Sequence, residues 1–471
     1  MVEVSDFFEN VLSYPTSPLI LIFYLHLSMN LKQVSKKVKN AWAMYDWANS
    51  VYPLVITSSV FPVFYENATQ KTILVEGVEQ QTDVINFLGF EVVNTALYSY
   101  AISFSYLLIA ALSPLLSGVA DYAGKKKTFM KFFTYMGALS CAGLYFFDLN
   151  WLFLGLLLVV LASIGFSGSQ VFYNAFLPEV APPKEHDRLS AKGFALGYIG
   201  SSILLIFNLS MIMFPEFFGI HNGDTAARIS FLTVGVWWIA FSQITFYYLP
   251  DNVHKRKPKG NILFKGYREI RNVWHSLKGN RQLKRYLASF FVFSMGVQTV
   301  MLMAVMFGKK EIEGMPDEGL IISILIIQFI AVGGAYLFSY LSSKLGNFKA
   351  LGLAISIWVV ICACAFFVHT PTEFYLIAAA VGLVMGGIQS LARSTYSKIL
   401  PDTVDTASYF SFYDVCEKVG IVIGTFSYGY IEQLTGSMRH SIAALMVFFF
   451  VGLVLLFFVP KKSGQELEGV D

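Results

Sequence analysis

The chain has 471 residues, of which 55% are hydrophobic, 16% aromatic and only 14% charged, with 44 Phe. An ordinary soluble domain is about one quarter charged, so the soluble classes are excluded. The net charge of +3 gives no basis for nucleic-acid binding; in a membrane protein the placement of Lys and Arg carries the information instead.

In chain order, residues 1 to 28 open with an acidic stretch, MVEVSDFFEN, followed by an apolar run near LILIFYLHL. That run is shorter than the roughly 20 residues a spanning helix needs, and it lacks the basic opening of a signal peptide. Met29 then begins MNLKQVSKKVKN, a basic amphipathic lead-in and a second candidate start of translation; residues 1 to 28 are treated as peripheral. Spans are predicted at 41 to 65, 95 to 120, 127 to 147, 151 to 177, 190 to 213 and 229 to 249, then at 286 to 307, 319 to 341, 350 to 368, 372 to 399, 408 to 433 and 438 to 459. The expected fold class is an all-α membrane protein with twelve transmembrane helices in two six-helix halves, 41–249 and 286–459. They are joined by a basic linker at 250–285 and flanked by the segments 1–40 and 460–471.

Of the 34 Lys and Arg, 27 fall in or beside residues 30 to 40, the loops after even-numbered spans and the tail, against 5 in the opposite loops. Excess positive charge marks the cytoplasmic side, so both termini and the linker are expected there. Within the linker, GYREIRNVWHSLKG can form an amphipathic helix at an anionic lipid surface; a solvated hinge is the preferred expectation. Residues 66 to 94 make a longer loop on the other side. Cys141, Cys362, Cys364 and Cys416 lie in apolar runs without metal-ligand spacing, so neither a disulfide nor a structural metal is expected.

The sequence repeats. YNAFLPE at 173 to 179 recurs as YSKILPD at 396 to 402, offset by 223, and DYAGKKK at 121 to 127 aligns with SKLGNFK at 343 to 349, offset by 222. Corresponding spans are linked in both cases, as in a duplicated six-span unit. Two similar halves facing each other across a midplane site can rock to expose one side at a time. Gly193 with Gly197, and Gly420 with Gly424, add small-residue pairs suited to close helix packing.

SGVADYAGKKK at 117 to 127 resembles the major facilitator superfamily signature between spans 2 and 3, with Asp121, Gly124, Lys125 and Lys126 matching as a gate loop. Ser117 and Tyr122 depart from it, and Ser343 replaces the Asp in the second half. AWAMYDWANSVYPLVI at 41 to 56, YNAFLPEVAPPKEHDRLSAKGFALGYIG at 173 to 200 and GGIQSLARSTYSKILPD at 386 to 402 resemble the branch containing the fungal autophagy-related vacuolar amino-acid effluxer and its bacterial relatives. The resemblance implies the major facilitator fold, a central cavity, alternating access and, for the fungal relative, amino-acid export.

Ionisable groups inside spans are costly and mark function by default. On span 1, Asp46, Asn49, Ser50, Pro53 and Thr57 fall within about 100° of one another at helical spacing, opposite Ala48, Val51 and Val55, and predict a wet stripe. Span 4 carries Ser163, Ser167, Gln170 and Asn174 on one face, and span 10 carries Gln389, Arg393 and Tyr396. Span 11 holds Asp414, Glu417 and Lys418, with Asp414 and Lys418 at i, i+4. Asp46, Arg393, Asp414 and Lys418 are expected to form an inner gate. Arg393 or Lys418 could take a substrate carboxylate, and Asp46 or Glu417 a coupling proton; permanent ion pairing is the competing reading. Gln298 is expected to make an interhelical hydrogen bond or a substrate contact, and Trp42, Tyr45 and Trp47 to sit at the membrane interface.

No phosphate-cradling GxxxxGK[ST], HExxH or GxSxG motif is present, so neither an enzyme nor a cofactor is expected. The chain reads as a monomeric transporter of a small polar solute in a bacterial cytoplasmic membrane. Amino-acid efflux leads, sugars and lipid-like molecules stay open, and a non-transporting receptor or scaffold is the rival.

Overall fold

The computed structural model describes residues 35–75, 78–82, 84–251 and 262–460. The expectations for residues 1 to 28, Met29 and the charged tail lie outside them.

The first span is a broken rod. Helix α1 (Lys36–Asn49) runs into a π-helical segment at Tyr52–Thr57, and the chain restarts as α2 (Val60–Thr69). Pro53 sits at the start of that segment and has no N–H to donate, and the wider turn of the π segment accommodates the loss. Two antiparallel hairpins follow, β1 (Lys71–Val75) with β2 (Val78–Thr82) and β3 (Val84–Phe87) with β4 (Phe90–Val93). They fill the long loop at 66 to 94.

The rest is helical. α3 (Asn94–Ala123), α4 (Lys126–Gly143) and α5 (Leu152–Ala175) precede a short α6 (Leu177–Val180), then α7 (His186–Met213) and α8 (Gly223–Tyr248) complete the first half. α9 (Ile262–Gly279) lies in the linker. α10 (Arg281–Glu311), α11 (Asp317–Leu345), α12 (Asn347–Ala365), α13 (Pro371–Ile399), α14 (Thr406–Thr435) and α15 (Met438–Phe457) form the second half. Among the described residues, nine helices are long and apolar enough to cross a membrane. The other three expected spans coincide with the broken first rod, with α4, whose start carries Lys126, Lys127 and Lys131, and with α14, which carries Asp414, Glu417 and Lys418. All twelve expected positions are therefore occupied by helix.

The repeat is visible in the backbone. Gly124 and Gly346, aligned by sequence, both take positive φ, 63° and 83°, at the turns α3–α4 and α11–α12. Such values favour glycine. Leu177-Pro178 and Leu400-Pro401 follow the ends of α5 and α13, where proline cannot continue the preceding helix.

Large apolar side chains such as Phe132, Leu139, Val360 and Phe450 are more than half exposed around the outside, as expected for a surface in contact with lipid. Inside, one buried cluster runs continuously through the second half and into the first at the end carrying the basic loops, joining Trp42, Tyr45 and Tyr173 to Tyr286, Leu391 and Tyr396. Toward the other end the first half keeps a separate cluster around Phe61, Phe64, Phe147, Phe231 and Trp238, met at its edge by Ile324 and Leu325 of α11. The two halves are thus fused most fully at the basic end.

Gly420 and Gly424 pack α14 onto α10: a Cβ at Gly424 would lie 2.8 Å from the carbonyl oxygen of Met295. Gly424→Val is expected to destabilise the protein by about 1–3 kcal/mol through overpacking, read as a lower thermal midpoint in detergent, whereas Gly429→Val, where nothing lies within 4 Å, leaves it unchanged.

Candidate functional site: a buried polar seam between the halves

Asp46 of α1 and Arg393 of α13 are 347 residues apart in sequence and form an ion pair of 3.0 Å. They are only 3% and 2% exposed. Four of the five guanidinium N–H groups are engaged: Nε donates to Ser190 Oγ at 2.9 Å, Nη2 to the Ser190 carbonyl at 2.9 Å and to Asp46 Oδ2, and Nη1 to Asn174 Oδ1 at 3.4 Å. Tyr173 donates its hydroxyl to the same Asp46 oxygen at 2.8 Å. Aromatic faces close the cage, with the guanidinium 4.2 Å from the Phe194 ring centre and 4.9 Å from that of Trp42. Arginine suits this position because its planar fork both stacks and donates several bonds at once. Gly193 of α7 lies directly against the pair, and a Cβ there would collide with the Asp46 carboxylate; its role is to let α7 approach a charged site.

Closer to the basic end, the gate loop meets the second half. Asp121, at the end of α3, accepts from the Ser408 amide and hydroxyl, both at 2.7 Å, and from the Ala407 amide at 3.3 Å. Its carboxylate therefore caps the N-terminus of α14, where the helix dipole favours an anion. Lys126 joins Glu179 and donates to Thr406 Oγ1 at 2.8 Å. Lys125, expected in the same gate, points away and is exposed. Because Gly124 makes the turn, the lysine after it leads outward and the next two fold back; Lys127 donates to the Leu249 carbonyl at 2.7 Å.

The second half has Ser343 where the first has Asp121, and the charge reappears on the facing helix. Asp187 of α7 accepts from Lys398 Nζ at 2.6 Å, Ser342 Oγ at 2.8 Å and Asn347 Nδ2 at 2.8 Å. Helix pair α7–α11 thus receives the carboxylate that the repeat lacks in its own loop.

A second cluster sits nearer the middle of α14. Lys418 is 3.1 Å from Glu417 Oε2 and 3.7 Å from Asp414 Oδ1, with its ammonium 5.8 Å from the ring centre of Tyr106 on α3. Gln298 of α10 donates to Glu417 Oε1 at 2.6 Å, the interhelical bond expected for it. Asp414 and Lys418 are buried, Asp414 Oδ2 has no hydrogen-bond partner, and the Glu417 side chain is 24% exposed. Gln389 accepts from the Tyr198 hydroxyl at 2.5 Å, across the halves, and Gln170 and Asn174 are half-buried. The four charges expected to make one gate therefore fall into two pairs, Asp46 with Arg393 and Asp414 with Lys418, the second pair joined by Glu417.

Several expectations need correction. The stripe on span 1 is not uniformly wet: Asp46 is sealed, and Asn49 is completely buried with neither side-chain amide atom bonded. Only Ser50, Pro53 and Thr57 are half-buried, and past residue 51 the π segment breaks the helical spacing on which the stripe was drawn. The opposite face, Ala48, Val51 and Val55, is fully buried as well. Trp42 and Tyr45 are not interfacial: both are 0% exposed, and Trp42 donates to the Tyr173 carbonyl at 2.9 Å. Tyr396 turns away from Gln389 and Arg393 to bond the Tyr409 carbonyl at 2.6 Å. Sequence reasoning missed Tyr173, Glu179, Asp187, Ser190, Lys398 and Ser408. Tyr173 and Glu179 lie inside the repeated YNAFLPE and could have been found there.

The expected solvated hinge is also corrected. From Ile262 to Gly279 the linker is helix α9, docked on both halves: Gly266 packs against Gly118 and Val119 of α3, and Tyr409 of α14 donates its hydroxyl to Ser276 Oγ at 2.8 Å.

Residues 34–468 match the family model described as "Vacuole effluxer Atg22 like". The chain is 32% identical over 439 residues to the uncharacterized MFS-type transporter YxiO of Bacillus subtilis, covering 92% of this chain and 97% of that one. It is 24% identical over 562 residues to autophagy-related protein 22 of Coccidioides immitis, covering 93% and 90%. In structure it is similar to the major facilitator transporter FucP in the outward conformation, with a TM-score of 0.64, 13% identity and 90% and 98% of the two chains covered. The human organic anion transporter MFSD10 gives a TM-score of 0.67 at 10% identity, with 89% and 99% covered. A duplicated helical bundle with a polar seam between its halves, matched by the family model over residues 34–468, belongs to the Atg22-like family: the chain is an integral membrane transporter of the major facilitator type and not an enzyme.

Proposed function

We propose that the protein carries a small polar solute by alternating access, with 41–249 and 286–459 as the two rocking bodies. The observation that supports this most directly is the stacking of two polar layers. A sealed Asp46–Arg393 gate lies at the basic end, and a half-exposed set, Gln170, Asn174, Gln298, Gln389 and Glu417, lies around it and deeper in the bundle. A receptor or scaffold has no use for partly hydrated polar groups between its halves. The charge rule assigns the basic end to the cytoplasm. In that orientation, with both halves in one monomeric chain, the conformation described is closed toward the cytoplasm.

Each nitrogen of Arg393 donates within the gate, which leaves Glu417, its side chain 24% exposed, as the charged group open to a solute, with the buried Lys418 ammonium beside it. One cation beside a partly exposed carboxylate suits a zwitterion, and amino acids fit that chemistry. Counterflow of labelled metabolites, amino acids included, into proteoliposomes tests the reading; accumulation of none of them would remove it. Glu417 takes the role of proton acceptor. Glu417→Gln is expected to abolish acceleration by an imposed pH gradient, whereas Asp46→Asn slows transport with and without the gradient. The reverse pattern would transfer the coupling role to Asp46.

A further inference from the structure

Helix α9 forms most of the described part of the linker, and two adjacent stripes of its side chains stand out. Gly266, Ile270, Val273 and Leu277 face inward, with Val273 4% and Leu277 6% exposed. Each is followed in sequence by a member of a second stripe: Tyr267, Arg271, Trp274 and Lys278, all exposed. At about 100° per residue this second stripe forms a single flank in which aromatic and basic side chains alternate. Tyr267 is 60% and Trp274 48% exposed.

Two further observations place that flank. Gly118 and Val119, against which Gly266 packs, lie four or five residues from the end of α3, about 6–8 Å along its axis. Trp274 stacks on Phe412 of α14 at 5.8 Å, a residue six positions from the start of that helix. α9 therefore runs at headgroup depth beside the bundle, not out in solution. Trp and Tyr are favoured at that depth because one end of each ring system is apolar and the other polar. Arg and Lys lay their stems along apolar surface and present the charge to phosphates. Lys278 Nζ lies 5.3 Å from the Trp274 ring centre, consistent with a cation held beside the aromatic surface.

We propose that the Tyr267–Arg271–Trp274–Lys278 flank of α9 is a binding surface for the headgroups of anionic phospholipids in the leaflet at the basic end. Aromatic rings anchor the helix at the interface, and the two cations meet the phosphates. The inference rests on the membrane-spanning fold and is independent of which solute is carried.

The test is titration of the purified full chain in detergent with short-chain phosphatidylglycerol or phosphatidylcholine. Wild-type protein is expected to prefer phosphatidylglycerol, with the preference shrinking as salt screens it. Arg271→Gln with Lys278→Gln is expected to weaken phosphatidylglycerol binding about 25-fold, each juxtamembrane cation contributing about fivefold. The charge-preserving pair Arg271→Lys with Lys278→Arg keeps it, and glycerol phosphate lacking acyl chains does not compete. A control pair on exposed residues at the same end, Lys344→Gln with Lys349→Gln, is expected to have little effect. The proposal is overturned if the Arg271/Lys278 pair binds as the wild type does, if the control pair loses as much, or if glycerol phosphate competes at equal concentration.

Discussion

Arg393→Met opens the basic end. The substitution leaves the Asp46 carboxylate buried without its cation and the Ser190 and Asn174 acceptors without their donor. Removing one partner of a buried pair costs about 3–5 kcal/mol. That penalty falls on the closed conformation, since separation of the halves lets water reach Asp46. The equilibrium is therefore expected to move toward the open form by about two to three and a half orders of magnitude. Spin labels at Lys125→Cys and Lys349→Cys, two exposed positions on opposite halves at that end, read this on a background lacking the native cysteines. The wild type should give mainly the short distance, and Arg393→Met should add a longer one; an unchanged distribution would mean the pair does not hold the gate. Asp46→Asn combined with Arg393→Met should restore part of the short population, because no lone charge is then left behind.

Lys418→Met is the second large effect. Asp414 and Glu417 both rely on this ammonium, and without it two neighbouring carboxylates share a poorly hydrated site. A loss of about 3–5 kcal/mol is expected, seen as a lower thermal midpoint together with loss of solute counterflow. Adding Asp414→Asn should recover more than half of the stability but not the counterflow. If the two single substitutions were simply additive in stability, Lys418 and Asp414 would not be coupled.

How far the sequence reaches depends on whether the cause of a feature is local. The helices at the twelve expected positions follow from apolar length, and the α3–α4 and α11–α12 turns from glycines that the repeat had already aligned. On α14, Asp414 and Lys418 meet because i and i+4 share a face. The pairing of Asp46 with Arg393 is different in kind: both residues stood out as buried charges, but nothing local says which cation a carboxylate will find across a bundle. Asp187 escaped notice because it lies at the start of α7, where a charge reads as loop. The break at Tyr52–Thr57 escaped because Pro53 is compatible with several distortions. For α9 the amphipathic character of GYREIRNVWHSLKG is legible in the sequence, but a solvated hinge is the reading it favours, because its docking surface on α3 and α14 lies more than a hundred residues away in either direction.

The signs of the charges across the seam have a further consequence. Three carboxylates, Asp46, Asp121 and Asp187, come from the first half, and they meet Arg393, the amino end of α14 and Lys398 from the second. At these three contacts the first half supplies the anion and the second half the cation or helix amino end, and two copies of the first half would set like against like there. If the polypeptide were cut within the linker and its fragments co-expressed, each would be expected to recruit its complement and reject its twin, a lock and key that the duplicated ancestor could not have possessed before its copies diverged.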